Sequence, residues 1–481
     1  MLDRLAADLD RLIRRSDLGD ISGWNQTIRK GRFIVLTAGF SKVCITPPIG
    51  APLAGFAARQ GVCVGVHDDL FSRALVLDNG RKVVAIVSLD VLAMAAEFID
   101  AVRGRIAERI GILRDAIMIA STHTHAGPVT IKTFFNPEDS LDGTYMESLA
   151  AAIEESVVQA YASKFPARVG VGSGRVSGIG VNRRTADKKP VDEEIGIIKV
   201  EDSGGRVRCV LINYACHPTV LGSNNLLATG DFPYFAVERV EAALGEGGFA
   251  MFVNGTQGNI SMGHSSELSA IGVITPGRTF EHAAELGQKL ADSTLAALSD
   301  IPTEDNPVIG AATSVVNFPL KHLPEIEEAA GELRDAERRL KDVESSNGSS
   351  DAALKAKSQL LYASIANFFA NETARLDGHL PVELQTIRIN DSVFLGVPAE
   401  VFVEIGLELK RRASRKTFIV GIANGYIAYF PTHAAFPDGG YEVVSSKIAP
   451  ESEELFYEKA LELEESLFSG PAEAVSRIQP V

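Results

Sequence analysis

Three observations on the 481-residue sequence predict an α/β fold. Apolar, strand-like runs recur along the chain, and several end in His, Asn, Glu or Tyr. These runs are continuous rather than alternating, as in strands buried on both faces. Amphipathic helical segments stand between them, the arrangement of a sheet covered by helices, in which sites gather at strand ends.

Residues 1–38 read as one helix plus a loop, an N-terminal extension: Leu2, Leu5, Leu9, Leu12 and Ile13 are broken by charges at helical spacing. No continuous apolar core of a signal peptide is present there. "RALVLDNGRKVVAIVSLDVLAM" is a strand, an Asn79-Gly80 turn and a second strand, a hairpin pattern. "EFIDAVRGRIAERIGI" has helical apolar spacing and feeds the strand "AIMIAST". "VRCVLINYACHPTVL", "FAMFVNGTQGNISMG", "SVFLGVPAEVFVEIGLELKRRA" and "KTFIVGIANGYIAYFP" repeat the same grammar.

The stretch 321–377 differs. Ile326, Leu333 and Leu340 fall seven apart, with Ala329, Ala336 and Val343 as a second apolar row; after "SSNGSSD" come Leu354, Leu361 and Phe368, again seven apart. The spacing predicts an inserted antiparallel helical hairpin packed as a coiled coil, a dimerisation arm for a homo-oligomer or a lid over the site. The main body is then 39–320 with 378–481.

A net charge of −15 without a basic block excludes nucleic acid and anionic membranes as natural partners. Cys44, Cys63, Cys209 and Cys216 show neither CxxC spacing nor a disulfide-dense pattern, which suits reduced thiols in a cytoplasmic protein. No apolar run approaches a membrane span. Serine-hydrolase elbows and phosphate-binding glycine patterns are absent as well.

Chemistry concentrates in "IMIASTHTHAGP". If the strand continues through them, His123 and His125, two apart, face the same side. Metal ligation, proton chemistry and a structural role all remain open for the pair alone. His217 ends a second apolar strand, and imidazoles suit zinc, which takes a carboxylate as a common complement. Glu400 fits that role; a helix N-terminal acid is its plain alternative. Asp90 and Asp231 are candidates to hold the second nitrogens of zinc histidines, while Asp68 and Asp69 read as a surface turn.

With "AGFSKVCITPPIGAPLAGF", "STHTHAGP", "GVNRR", "CHPT", "TGDFPYF", "NGTQGNIS", "PAEVF" and "NGYIAYFPT…GGYE" in order, the chain resembles the N-terminal catalytic domain of the neutral/alkaline (non-lysosomal) ceramidases. It reads as a compact, bacterial-type member without that family's C-terminal β-sandwich domain. The resemblance implies a large mixed-sheet hydrolase domain and one Zn2+ held by His123, His217, Glu400 and Tyr429. Tyr441, twelve positions after Tyr429, His125 and Arg183 (or Arg184) are then the catalytic residues. The family's serine has no clear counterpart, Ser265 and Ser266 being nearest, and its common Asp is Asn259 here. The implied function is zinc-dependent hydrolysis of an amide bond by attack of a zinc-bound water. The favoured substrate is a small-molecule N-acyl or cyclic amide rather than ceramide. A ceramidase proper, a zinc esterase or deacetylase, and a non-catalytic zinc-containing binding protein are the alternatives.

Overall fold

The computed structural model describes residues 36–135, 141–346 and 348–469. The N-terminal helix expected over 1–38 lies outside these residues, except that Thr37 and Ala38 already belong to the first strand. Eight strands form a mixed sheet: β1 (Thr37–Cys44), β2 (Phe71–Asp78), β3 (Val83–Leu89), β4 (Ile117–Ser121), β5 (Phe165–Arg175), β6 (Glu194–Asp202), β7 (Val207–Tyr214) and β8 (Phe249–Asn254). Their spatial order is β8-β7-β6-β5-β1-β2-β3-β4. Only β3/β4 and β7/β8 are parallel pairs within it.

The expected hairpin is β2–β3. Asp78 pairs with Val83, and the Asn79 side chain accepts from the Arg81 and Lys82 amides to close the turn. The expected helix is α1 (Ala96–Ile110), ended by Gly111 in the left-handed region. With α2 (Gly143–Ala162) it packs on the sheet, in a core that runs through Ile86, Met118, Ile153 and Val157. A further layer comes from α3 (Phe232–Leu244) and α5 (Phe280–Ala297), with the short α4 (Ser266–Ala270) between them in sequence. The α3/α5 crossing is close: a Cβ on Gly287 would lie 2.5 Å from the Phe232 carbonyl oxygen.

A second sheet runs β9 (Ile309–Pro319), β10 (His379–Ile389), β11 (Ser392–Val397), then β13 (Lys416–Gly421), with β11 and β13 parallel. Its Phe394 and Phe418 join the core of the first sheet. Between β11 and β13 lie the two-residue strand β12 (Glu400–Val401) and α8 (Val403–Arg412). After β13 comes β14 (Tyr429–Phe430), paired parallel to β12. The chain then forms α9 (Tyr441–Val444) and α10 (Ser452–Ser466).

The order of the first sheet hides a proximity that makes the site possible. Strands β4 and β8 stand at its opposite edges, yet the sheet curls until they meet. Ser88 on β3 donates to the Phe252 carbonyl of β8 at 2.5 Å, and Asn254 at the end of β8 reaches the Thr122 carbonyl just past β4.

The helical segment forms α6 (Ile326–Ser345) and α7 (Ser350–Thr373), inserted between β9 and β10. Of the seven-residue rows, only part is buried. Ile326 and Leu354 are exposed, whereas Ala329 and Ala336 are buried on α6, and Leu361, Ile365 and Phe369 on α7. Steps of four residues mark a helix face docked on a globular surface, and here that surface includes Phe134, Tyr426 and Tyr441. Among the described residues no helix is long and apolar enough to cross a membrane. All four cysteines are free.

The docking of α7 is testable. Ile365 is fully buried, so Ile365→Ala should lower stability by about 2–5 kcal/mol in chemical denaturation. A change below about 0.5 kcal/mol, the range of neutral surface substitutions, would mean that the hairpin stands off the body.

Candidate metal centre

Strand β4 stops at Ser121, two residues before His123. The expectation that His123 and His125 share one strand face is therefore corrected. His123 lies in a loop at φ 70°, a left-handed conformation that non-glycine residues adopt only under constraint. The constraint is visible: its amide donates to the Val91 carbonyl and its Nδ1 faces the Leu92 carbonyl at 2.8 Å. His217 is held alike, with Nδ1 2.7 Å from the Gln257 carbonyl and 3.0 Å from that of Ile260. A carbonyl can only accept, so each Nδ1 carries the proton and each Nε2 is left with a lone pair.

Both lone pairs point at one carboxylate. His217 Nε2 is 2.8 Å, and His123 Nε2 3.5 Å, from Glu400 Oε2. Burial holds His217 down at about 4, so its ring is neutral at neutral pH, and the buried Glu400 lies well below the usual carboxylate range and is ionised. Two neutral acceptor nitrogens facing a buried anion repel unless a cation lies among them. These residues therefore fit a metal ion, with backbone carbonyls fixing the histidine tautomers as is usual behind metal ligands.

Glu400 and Tyr429 are directly opposite each other in the β12/β14 ladder, which presents carboxylate and phenol together. The Tyr429 ring stacks near His217 with centroids 6.4 Å apart, and its hydroxyl accepts from Arg183 at 3.1 Å. Arg183 also donates to Glu442 at 2.8 Å, and Arg184 takes the other oxygen of that carboxylate. The Tyr441 ring lies 5.9 Å from that of Tyr429. His125 sits 4.8 Å from the His123 ring, and both its nitrogens are buried without a partner. Burial drives its pKa well below the ordinary histidine value.

His123, His125 and His217 form a competing ligand set, their candidate atoms within 4.8 Å of one another. The tautomers separate the two sets: His123 and His217 are locked by carbonyls, whereas neither nitrogen of His125 is. No backbone carbonyl fixes the tautomer of His125.

All seven sequence-predicted site residues are thus brought together. The second-layer expectations fail. Asp90 accepts from the Phe71 amide, not from a histidine, and Asp231 caps α3 while binding the Val220 and Leu221 amides. Asp68 is buried rather than in a surface turn, holding Thr229, Gly230 and His67. Ser265 caps α4, and Ser266 donates to Glu442 at 2.5 Å.

Sequence reasoning missed Tyr426, which donates to Glu400 Oε1 at 2.5 Å, and Glu442. It also gave no role to Asn254. That fully buried amide donates to the carbonyls of Thr122 (3.2 Å) and Cys216 (3.1 Å), and its oxygen accepts from the Cys216 and Gly255 amides. Thr122 and Cys216 immediately precede His123 and His217.

A cavity of about 640 Å³ opens on the site, lined by His123, His125, Glu400, Tyr429 and Tyr441 at one end. The rest of its wall is mostly apolar, including Phe98, Phe134, Leu141 and Met146, with Ile365 and Phe368 from α7.

Comparison with known proteins agrees with this architecture. Residues 37–264 match the family model described as neutral/alkaline non-lysosomal ceramidase, N-terminal. The chain is 29% identical to neutral ceramidase 3 of Arabidopsis thaliana over 34% of this chain and 25% of that protein. It is 26% identical to the neutral ceramidase of Mycobacterium tuberculosis over 49% of this chain and 41% of the relative. The matched stretches thus span less than half of these relatives. The crystal structure of neutral ceramidase from Pseudomonas aeruginosa superposes with a TM-score of 0.68 at 19% identity, covering 92% of this chain and 76% of that one. A ceramidase complexed with C2 gives a TM-score of 0.70 at 17% identity, over 93% of this chain and 77% of the other. The family resemblance drawn from the motifs therefore holds over residues 37–264 by sequence; over nearly the whole chain it is the fold that is shared.

If Asn254 sets the spacing of the histidines, Asn254→Asp should loosen it, because a carboxylate cannot donate to either carbonyl. Metal affinity, read by competition with a chromophoric chelator, should fall about 10–100-fold, with the circular dichroism spectrum unchanged.

Proposed function

We propose that this protein is a zinc-dependent amidohydrolase acting on an amide with a long acyl chain. The observation that carries the reading is the convergence of two tautomer-locked histidines on Glu400 at the end of a mainly apolar cavity. The sequence reading favoured a small N-acyl or cyclic amide. A cavity of about 640 Å³ walled by aromatic and aliphatic side chains instead suits an acyl chain, each buried methylene contributing about 0.8 kcal/mol. Ceramide, the substrate in the relatives' names, is the reference compound for this class.

His123, His217, Glu400 and Tyr429 would hold the zinc. When bound there, zinc supplies Lewis acidity, lowering the pKa of water and polarising an amide carbonyl. Glu400 is oriented by the Tyr426 hydroxyl, and the phenol of Tyr429 is held by the Arg183 guanidinium. Arg183 is anchored in turn by Glu442, which receives Arg183, Arg184 and Ser266 together. His125, unprotonated at neutral pH and unpartnered, accepts a proton from water and delivers it to the leaving nitrogen. Tyr441, at the cavity end beside Tyr429, stabilises the oxyanion with its hydroxyl proton. The packing of α7 against the cavity gives the helical insertion a role as its wall.

Chelation should abolish hydrolysis of a long-chain N-acyl amide, and stoichiometric zinc should restore it. His125→Ala should keep one zinc per chain while kcat falls about 10²–10⁴-fold; loss of zinc with activity would move His125 into the ligand set. Shortening the acyl chain by two carbons should lower kcat/KM roughly tenfold. Insensitivity to chain length would contradict the assignment of the apolar cavity.

A further inference from the structure

The two oxygens of Glu400 have different neighbours. Oε2 is the one that His217 Nε2 approaches at 2.8 Å and His123 Nε2 at 3.5 Å. Oε1 instead accepts the Tyr426 hydroxyl proton at 2.5 Å. A carboxylate with both oxygens free can hold a cation through the pair. One whose second oxygen is taken by a short, charge-assisted hydrogen bond presents the other alone.

The backbone that carries this phenol is strained. Tyr426 lies in the loop 422–428 between β13 and β14, where Ile422, Asn424 and Ala428 have φ 53°, 65° and 69°. A β-branched isoleucine enters that left-handed region only under constraint. Backbone hydrogen bonds supply the constraint: the Asn424 amide donates to the Ile119 carbonyl and the Ile427 amide to the Pro398 carbonyl, both at 2.7 Å. The Glu400 amide donates to the Ala428 carbonyl at 3.0 Å, so the strands bearing carboxylate and phenol are tied to each other. The Tyr426 ring packs on the cluster of Leu361, Ile365 and Phe369 from α7, its centroid 6.5 Å from that of His123. Clustered left-handed residues occur where the surroundings over-determine the backbone, commonly beside functional groups. Here they fix the direction of one hydroxyl.

We propose that Tyr426 is a positioning residue that confines Glu400 to a single metal-binding oxygen, Oε2, and so keeps a place at the metal open for water. The inference rests on the reading of the site as a zinc amidohydrolase. His123 and His217 each offer one nitrogen lone pair and Tyr429 one oxygen; Glu400 alone could offer one donor or two. A catalytic zinc keeps a position for water, and a second carboxylate oxygen would compete for it. Without the Tyr426 hydroxyl, Oε1 would be a buried acceptor with no donor, and turning it to the metal is the direct way to satisfy it. The role belongs to the hydroxyl, because the packing of the ring against α7 does not depend on it.

Tyr426→Phe removes the hydroxyl and keeps the ring. With Co2+ in place of zinc, the intensity of the visible absorption reports the donors around the ion and weakens as donors are added. The variant should still take one Co2+ per chain, with visible bands weaker than those of the unmutated protein. Its kcat with zinc should fall about 10–100-fold at unchanged KM. An unchanged cobalt spectrum overturns the proposal whatever happens to kcat. A weakened spectrum with unchanged kcat overturns it too, because Oε1 would then have taken no position that catalysis needs. Loss of Co2+ from the variant alone also overturns it, since the hydroxyl would then serve binding rather than confinement. A crystal structure of the unmutated protein loaded with zinc decides the question without a variant. Zinc on Oε2 with Oε1 still on Tyr426 is the expected result, and zinc held by both oxygens overturns the proposal. Each of these failures leaves the amidohydrolase reading intact, whereas an unmutated protein that takes up neither Co2+ nor zinc removes both.

Discussion

The Asn254 side chain donates its amide hydrogens to the carbonyls of Thr122 and Cys216, each the residue before a site histidine. Those two carbonyls follow β4 and β7, which are six strands apart in the hydrogen-bonded order of the sheet. Only the curl of that sheet lets one side chain span them. A buried amide can satisfy its donors and acceptor at once where both neighbours are fixed backbone. An aliphatic residue there would leave buried carbonyls unpaired, at a cost of about 1–3 kcal/mol each. The rest of the centre hangs on this spacing, because the histidine lone pairs reach Glu400 only from these two loops.

Glu400 and Tyr429 arrive by separate means, on a two-stranded ladder apart from the second sheet. The β12/β14 pairing sets Glu400 across from Tyr429, and Gly258 lets the loop after β8 press against it: a Cβ there would lie 2.4 Å from the Glu400 carbonyl oxygen. The sheets are tied near the site by Asn424, which accepts from the Ile119 amide of β4 and donates to Gln385 of β10. The two histidines are thus carried on loops just past β4 and β7, and Glu400 and Tyr429 on a short parallel ladder, each held by buried hydrogen bonds. That arrangement suits a site needing placement to about 0.5 Å.

Much of this was legible in the sequence. The Asn79-Gly80 turn, the α1 spacing and the continuous apolar run of β4 follow from local preferences that the tertiary structure does not override. The gathering of His123, His217, Glu400 and Tyr429 was expected only through the family resemblance that the ordered motifs carry; Tyr429 in "IAYFP" had no signal of its own, since a tyrosine there reads as core filler. What could not be read was the second layer. Asp90 and Asp231 were plausible partners for the histidines because buried acids need donors, but backbone amides satisfied them first. Tyr426, Glu442 and Asn254 act through contacts 26, 259 and 132 residues away in sequence, and no local pattern announces such contacts. The heptad rows of the insertion told part of the packing: Ala329, Ala336 and Leu361 are buried, but Ile365 and Phe369 lie outside the rows, on a face of α7 chosen by the body it docks on.

The central claim is that His123, His217, Glu400 and Tyr429 hold one metal ion while His125 stands outside its coordination. X-ray absorption at the zinc edge, combined with anomalous diffraction from crystals grown with zinc, tests it most directly. The account predicts one zinc per chain, with two imidazole nitrogens at about 2.0–2.1 Å and oxygen donors completing the shell, and anomalous density between His217 and Glu400. Three imidazoles with His125 among them, or no bound metal at all, would contradict it.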